Sequence, residues 1–251
     1  MNHKPIKGIV LAGGLGTRLR PLTRITNKHL LPVYDKPMIF YPIQTLVDAG
    51  IRDVLVVTGG NNAGDFLRLI GNGKDFGLDH MNYAYQEGEG GIAQALGLAE
   101  PFAKGHRIVV ILGDNLVEKG IASGVSKFRR QKEGALVYLK QMADPRPYGV
   151  PVFKRRRIVR IEEKPRNPGS KYAAIGIYMY DENVFDLIRT LKPSGRGELE
   201  VTDLNNAYLQ RGQLHYEILK GWWADAGESH DALLDANQIV ANTCRPKNKS
   251  S

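Results

Sequence analysis

Four short runs with the make-up of buried or half-buried strands recur through the first 113 residues, at 9–11, 53–58, 81–86 and 107–112. Between them lie stretches with helical spacing. Residues 38–49 follow Pro37 and are closed by Gly50; residues 63–70 end at Gly71; residues 92–102 complete the set. A strand that is apolar throughout needs cover on both faces, and crossover helices supply it. The alternation therefore predicts an α/β fold, a doubly wound and mostly parallel Rossmann-like sheet flanked by helices. Ligands of such sheets sit at the carboxyl ends of the strands, where Gly13, Gln86 and Asp114 fall.

The second half reads as more mixed. A helix at 121–132, a strand at 134–141 and a hairpin at 151–161 turning at 154–157 come first. A strand at 172–180, helices at 182–191 and 199–211, a strand at 214–219 and a helix at 228–242 follow. With no repeat and no long linker, one domain is expected over 1–243, in halves of about 1–115 and 116–243. The tail 244–251 is expected to fray.

The first strand runs into three glycines, Gly13, Gly14 and Gly16. Without Cβ atoms such a loop can bring backbone N–H groups against a phosphate, although the same glycines also suit a plain tight turn. Arg18, Arg20, Arg24 and Lys28 follow, and Pro21 and Pro32 prevent one long helix. Together these features suggest a polyphosphate cradle. It is not a dinucleotide fingerprint, because Leu19 stands where a third glycine is needed. Nor is it a Walker A loop, because Gly16 is followed by Thr17-Arg18 where Lys-Ser/Thr is needed.

A net charge of +9 raises the question of nucleic acid, as do Arg129-Arg130 and the basic run at 154–157. The cations are scattered without interleaved aromatics, and a basic surface that gathers small polyanions explains them as well. No nucleic-acid partner is expected. Cys244 is the one cysteine, so no internal disulfide can form. No apolar run approaches the roughly 20 residues of a membrane span, and no secretory pattern opens the chain. A cytoplasmic protein without membrane contact is expected.

Two aspartates stand out. Asp114 ends a buried run in Leu112-Gly113-Asp114-Asn115, and Asp225 lies in Gly221-Trp222-Trp223-Ala224-Asp225-Ala226-Gly227. By composition the first is also an ordinary Asx turn. A hard cation such as Mg²⁺ asks for only one or two carboxylates, with phosphate and water completing its shell.

The string Gly13-Gly14-Leu15-Gly16-Thr17-Arg18-Leu19-Arg20-Pro21-Leu22-Thr23, then Lys28-His29-Leu30-Leu31-Pro32-Val33, resembles the signature of the sugar-phosphate nucleotidyltransferases. Tyr34-Asp35-Lys36-Pro37-Met38-Ile39 is similar to one branch of them, the glucose-1-phosphate thymidylyltransferases of short type. The resemblance runs from Gly8 to about Asn237. It implies attack of a sugar 1-phosphate on the α-phosphorus of dTTP (or UTP), with Mg²⁺ held by Asp114 and Asp225. It implies nucleotide contacts at Leu11, Ala12, Gly13, Gly14, Gly16, Thr17, Arg18, Gln86, Gly91 and Asp114, with the first half as the nucleotide half. Asn115, Tyr148, Gly149, Glu163, Lys164, Ala174 and Trp223 are implied on the sugar side, and Arg18, Lys28 and Lys164 as the catalytic cations. Arg20 and Arg24 are expected to be solvated, and the string from Arg196 to Glu200 to be a structural helix start.

A homo-oligomer is implied, with a dimer as one form. The few residues after 244 lead to the expectation that a second, regulatory nucleotide-sugar site is missing. A UTP-using relative, another sugar phosphate and a non-catalytic nucleotide-sugar sensor on the same fold are the alternatives. Departures from the branch lie at Arg146-Pro147, at the basic turn 154–157 and at Ala173-Ala174-Ile175-Gly176.

Overall fold

The computed structural model describes residues 5–60 and 62–244; the tail at 245–251, with its expected break at Arg245-Pro246, lies outside the described residues. In chain order, β1 (Lys7–Ala12) is followed by β2 (Pro32–Val33), β3 (Lys36–Pro37), α1 (Phe40–Asp48), β4 (Asp53–Gly59), α2 (Ala63–Ile70) and β5 (His80–Gln86). Next come α3 (Ile92–Gly97), α4 (Glu100–Ala103), β6 (Ile108–Leu112), β7 (Asn115–Val117), α5 (Ala122–Arg130) and β8 (Ala135–Gln141). The rest is β9 (Gly149–Lys154), β10 (Arg157–Glu163), β11 (Tyr172–Tyr180), α6 (Val184–Ile188), α7 (Val201–Gln210), β12 (Leu214–Ile218), β13 (Trp223–Asp225) and α8 (His230–Cys244).

Among the described residues nine strands form one sheet, ordered β10-β9-β11-β6-β1-β4-β5, with β8 on β11 and β12 outside β8. β1 is parallel to both β4 and β6, and β4 to β5; β11 joins antiparallel to β6. This is the expected mixed, mostly parallel α/β sheet. The chain builds outward from β1 to β5, then returns to lay β6 on the other side of β1. The carboxyl ends of β1 and β6 therefore diverge into separate loops at a switch point, where α/β sheets hold their ligands.

The continuous apolar runs follow from two-sided burial. Ile9, Leu11, Leu55, Val57, Ile108 and Val110 face one core with Leu96, Val184, Leu204 and Tyr208 of the helices on that side. Val10, Ala12, Val54, Val56, Val109 and Ile111 face the other, with Ile43, Leu46, Phe66, Val125 and Phe128. Each Val, Leu, Ile or Phe side chain among these contributes about 1.5–3 kcal/mol on burial. A third, smaller cluster of Val33, Met38, Leu116, Ala224, Ala226, Ala236 and Val240 seats α8 on β7 and the β2–β3 hairpin.

Three expectations need correcting. The helix expected from residue 38 begins at Phe40, because Pro37 pairs with Pro32 in a two-residue ladder instead. The helix expected over 92–102 is two, α3 and α4, with Pro101 opening the second turn where its missing N–H costs nothing. The last helix starts at His230 and not at 228, which leaves Glu228 in the connecting turn. β7 and β13, three residues each, had no reading at all in the sequence.

Candidate active site

β1 ends at Ala12, and Gly13 to Gly16 turn across the sheet edge. Gly14 (φ 88°) and Gly16 (φ 60°) take the left-handed backbone that favours glycine. At Gly13 the reason is space: a Cβ there would stand 2.4 Å from Gln86 Oε1. Thr23 pins the loop by donating its hydroxyl to Gly16 O at 2.7 Å, and Leu15 N donates to Glu89 Oε1 at 3.0 Å. Asn27 then caps a short helical turn, Lys28–Leu30, its Oδ1 accepting from His29 N at 3.0 Å.

That turn delivers Lys28 to Asp114, Nζ to Oδ2 2.5 Å, with both groups largely buried. Burial alone would discharge Lys28, but the Asp114 carboxylate, with Asp225 behind it, raises its pKa above the usual value. Burial also opposes the charge of Asp114, yet the Lys28 ammonium holds that carboxyl well below the usual range. His29, buried under the loop beside Lys28, is pushed down to about 3 and is neutral.

Asp225 reaches the same place through the β7–β13 ladder, in which Asp225 pairs with Asn115 and Trp223 with Val117. Its pKa is raised, first by burial and then by the charge of Asp114. Ala226 N donates to Asp114 O at 3.0 Å, and Trp223 Nε1 to Asn115 Oδ1 at 2.7 Å. Asn115 Nδ2 in turn donates to Asp114 Oδ1 at 3.1 Å. Gly227 completes the approach, since a Cβ there would lie 2.3 Å from Asp114 Oδ2 and 2.8 Å from Lys28 Nζ.

Two cavities meet at this cluster. The first, about 380 Å³, is lined by Leu11, Gly13, Gly14, Gly16, Thr17, Arg18, Lys28, Gln86, Gly91 and Asp114, with Leu15, Glu89 and Glu198. Of the implied nucleotide residues only Ala12 is absent from this lining; it is fully buried beneath the loop. Gln86 is buried at the end of β5, its Nε2 donating to Gln94 Oε1 at 2.7 Å.

The second cavity, about 200 Å³, is lined by Asn115, Tyr148, Gly149, Glu163, Lys164, Ala174, Trp223 and Asp225. Arg18, Lys28, Asp114 and Gly227 line both. Lys164 holds a left-handed backbone (φ 44°), its N–H donating to Tyr148 O at 3.1 Å, a strained position for a lysine. Tyr148 packs edge-on against Trp223 with ring centroids 5.5 Å apart. Arg20 and Arg24 are exposed and line neither cavity. The added arginine of the 144–148 loop is spent locally, with Arg146 forked onto Asp144 at 2.8 and 2.7 Å.

Sequence reasoning missed part of the second cavity. Arg196, Glu198, Glu200, Thr202 and Asn205 also line it, and Arg196 Nη2 stands 3.5 Å from Glu163 Oε1. Thr202 Oγ1 donates to Glu163 Oε2 at 2.5 Å. Two backbone bonds stitch this segment to the turn before α3, Leu199 N to Gly90 O at 2.9 Å and Ala93 N to Leu199 O at 3.0 Å. The recurring string from Arg196 to Glu200 was the one available signal.

A glycine loop at the switch point, cations on its rim and a polar second cavity behind them define an α/β protein that handles phosphorylated ligands. The chain belongs to the nucleotidyl transferase family, whose profile matches residues 7–243. It is similar to a glucose-1-phosphate thymidylyltransferase of Neisseria meningitidis serogroup A, 44% identical over 94% of this chain and 82% of that one. A protein of that name from Mycolicibacterium smegmatis is 45% identical over 94% of this chain and 82% of its own length. A crystal structure from Bacillus anthracis, provisionally described as a glucose-1-phosphate thymidylyltransferase in complex with sucrose, superposes with TM-score 0.91 at 49% identity. That match covers 96% of this chain and 98% of the other.

Proposed function

We propose that the chain makes dTDP-glucose and pyrophosphate from dTTP and glucose 1-phosphate. The observation that carries this reading is the wall shared by the two cavities, where Arg18, Lys28 and Asp114 border both. A nucleotide in one cavity and a sugar phosphate in the other would meet at that wall.

The nucleophile is an oxygen of the sugar phosphate. With a second pKa near ~6, a phosphate monoester is mostly dianionic at pH 7 and needs no general base. This agrees with a wall whose one histidine, His29, is buried and neutral. What remains is to bring two anions together in line and to neutralise their charge. Lys164 and Arg196 hold the sugar phosphate, with Glu163 and Tyr148 around the sugar. Lys28, kept charged by its partners, faces the reacting phosphates. Arg18 takes the β- and γ-phosphates that leave as pyrophosphate. Gln86 reads the pyrimidine edge across Gly13, and Gly91 leaves room for the base.

Among the described residues no cluster of three or more His, Cys, Asp or Glu side chains is set up for a metal. A two-carboxylate donor set is what Mg²⁺ takes when substrate phosphates supply the remaining oxygens, so Asp114 and Asp225 fit it. When bound there, Mg²⁺ supplies Lewis-acid polarisation of the phosphate and relieves the repulsion between the two carboxylates. The halves of the chain, about 1–115 for nucleotide and 116–243 for sugar, belong to the same reading. So do a homo-oligomeric state and a cytoplasmic setting. Among the described residues no helix is long and apolar enough to cross a membrane.

Purified chain incubated with dTTP, glucose 1-phosphate and Mg²⁺ is expected to release pyrophosphate and yield dTDP-glucose by mass. A chain that binds dTDP-glucose without releasing pyrophosphate from any pair of substrates would instead be a sensor.

A further inference from the structure

Arg18 does not wait free in the cleft. Its Nη1 donates to Glu228 Oε2, which joins the N-terminal glycine loop to the turn between β13 and α8. Arg18 borders both cavities, whereas Glu228 borders only the second, so the ion pair ties the guanidinium to a residue of the second cavity. The contact uses one nitrogen. Among the described residues no other hydrogen bond of Arg18 is formed, which leaves the rest of the fork open.

The two ion pairs of the shared wall differ in how firmly they are set. Lys28 and Asp114 are 19% and 9% exposed, and a buried pair is not given up cheaply. Arg18 and Glu228 are 57% and 33% exposed, and pairs so open to water are weak. A polyphosphate on the glycine loop, carrying several charges, can take Arg18 from Glu228 with little cost. Once the α–β bond has broken, the product on the loop is a smaller anion, and the carboxylate competes for the same guanidinium. Glu228 also has no duty inside a helix, because α8 begins two residues later, at His230.

We infer that Glu228 is a positioning residue that recaptures Arg18 after each turnover and so weakens the hold on pyrophosphate. The inference rests on the reading of Arg18 as the pyrophosphate-side cation. The carboxylate acts through its charge, not through its shape. Glu228→Gln keeps the length of the side chain and an acceptor for Arg18 but loses the competing anion.

The test is a pair of measurements on the full chain. Pyrophosphate binding is titrated calorimetrically for the wild type, Glu228→Gln, Arg18→Ala and the double variant, and KM and kcat are measured for dTTP. Glu228→Gln should bind pyrophosphate about three- to fivefold more tightly and lower the KM for dTTP by a similar factor. Its kcat should fall as release slows. In the Arg18→Ala background the same change should have no effect, which a merely structural role of Glu228 would not produce.

Unchanged or weaker pyrophosphate binding in Glu228→Gln would overturn the inference. So would tighter binding that persists without Arg18, or no pyrophosphate binding by the wild type. Glu228→Ser repeats the test if the glutamine variant does not fold. Failure of the wild type to form dTDP-glucose would count against the proposed function alone, since the binding arms need no turnover.

Discussion

At the scale of single residues, the site depends on how closely groups of like and opposite charge are forced together. Buried Asp114 and half-buried Asp225 stand close enough to raise each other's charge cost, with the Lys28 ammonium paired to Asp114. Asp114→Asn and Asp225→Asn should each lower turnover by about two orders of magnitude or more while melting stays cooperative. Steady-state rates at saturating Mg²⁺ check this, and near-normal rates from either soluble variant would remove that aspartate from the proposed metal site. Gly227 makes a sharper case, because its hydrogen is all that separates the backbone from the Lys28–Asp114 pair. Gly227→Ala must push Asp114 or Lys28 aside. A displacement of that size should cost about ten- to a hundredfold in kcat. If kcat survives Gly227→Ala, the pair is not held as tightly as its contacts indicate.

The loop wall of the first cavity was legible in the sequence because it is local, a strand end, a glycine turn, Arg18 and Lys28 standing close in the chain, while Gln86 and Asp114 were read from their places at strand ends and Gly91 from the resemblance. Arg196, Thr202 and Asn205 were not, since contacts distant in the chain fold them into the cleft, among them the two backbone bonds between 90–93 and Leu199 and the Thr202–Glu163 bond. Nothing near Glu228 in the sequence marked it as the partner of an arginine 210 positions away.

Elements supply the positions. The long parallel strands could be read from their apolar runs, because two-sided burial leaves no polar residue in them. β7 and β13 could not. They are three residues long, carry the site's own polar groups and have no periodicity, yet their ladder is what brings Asp225 to Asp114. The division of the expected 92–102 helix was missed although Pro101 marks it.

A second polar device holds α7 to the sheet behind the second cavity. Asp181, fully buried, accepts from Gly134 N at 2.6 Å, Asn183 N at 3.0 Å and Tyr208 Oη at 2.7 Å. Tyr180 Oη donates to Asn205 Oδ1 at 2.8 Å beside it. Asp181→Ala leaves a buried amide and hydroxyl unpaired and should destabilise the fold by about 2–4 kcal/mol. Chemical denaturation measures the loss, and a change under ~0.5 kcal/mol would mean that water replaces the carboxylate. The KM for glucose 1-phosphate should rise with it, because α7 opens with Val201 and Thr202 at the cavity wall.

At the scale of the whole molecule, one sheet presents two half-sites at one edge. β1, β5 and β6 end at the first cavity; β10 and β11 border the second; β13 closes the gap between them. The architecture was foreseeable from the alternation of runs, while the join between the halves was expected only from the resemblance, through Asp114 and Asp225, because it is made by contacts distant in sequence. On the proposed function, this join is one transfer site for a pyrimidine nucleotide and a sugar phosphate. Discrimination against UTP rests on one methyl and one hydroxyl, and a methyl-sized contact is worth only ~1–3 kcal/mol. Purines face a different obstacle, since Gln86 is buried and its amide is tied to Gln94, so it cannot swing away for a larger base. The most direct measurement is pyrophosphate release with each of dTTP, UTP, ATP and GTP against glucose 1-phosphate and two other sugar 1-phosphates, with Mg²⁺ present and absent. The highest kcat/KM is expected for dTTP with glucose 1-phosphate, with UTP second, purines far behind and no turnover without the metal. Equal turnover of GTP or ATP, or full activity without a divalent cation, would contradict the proposed function.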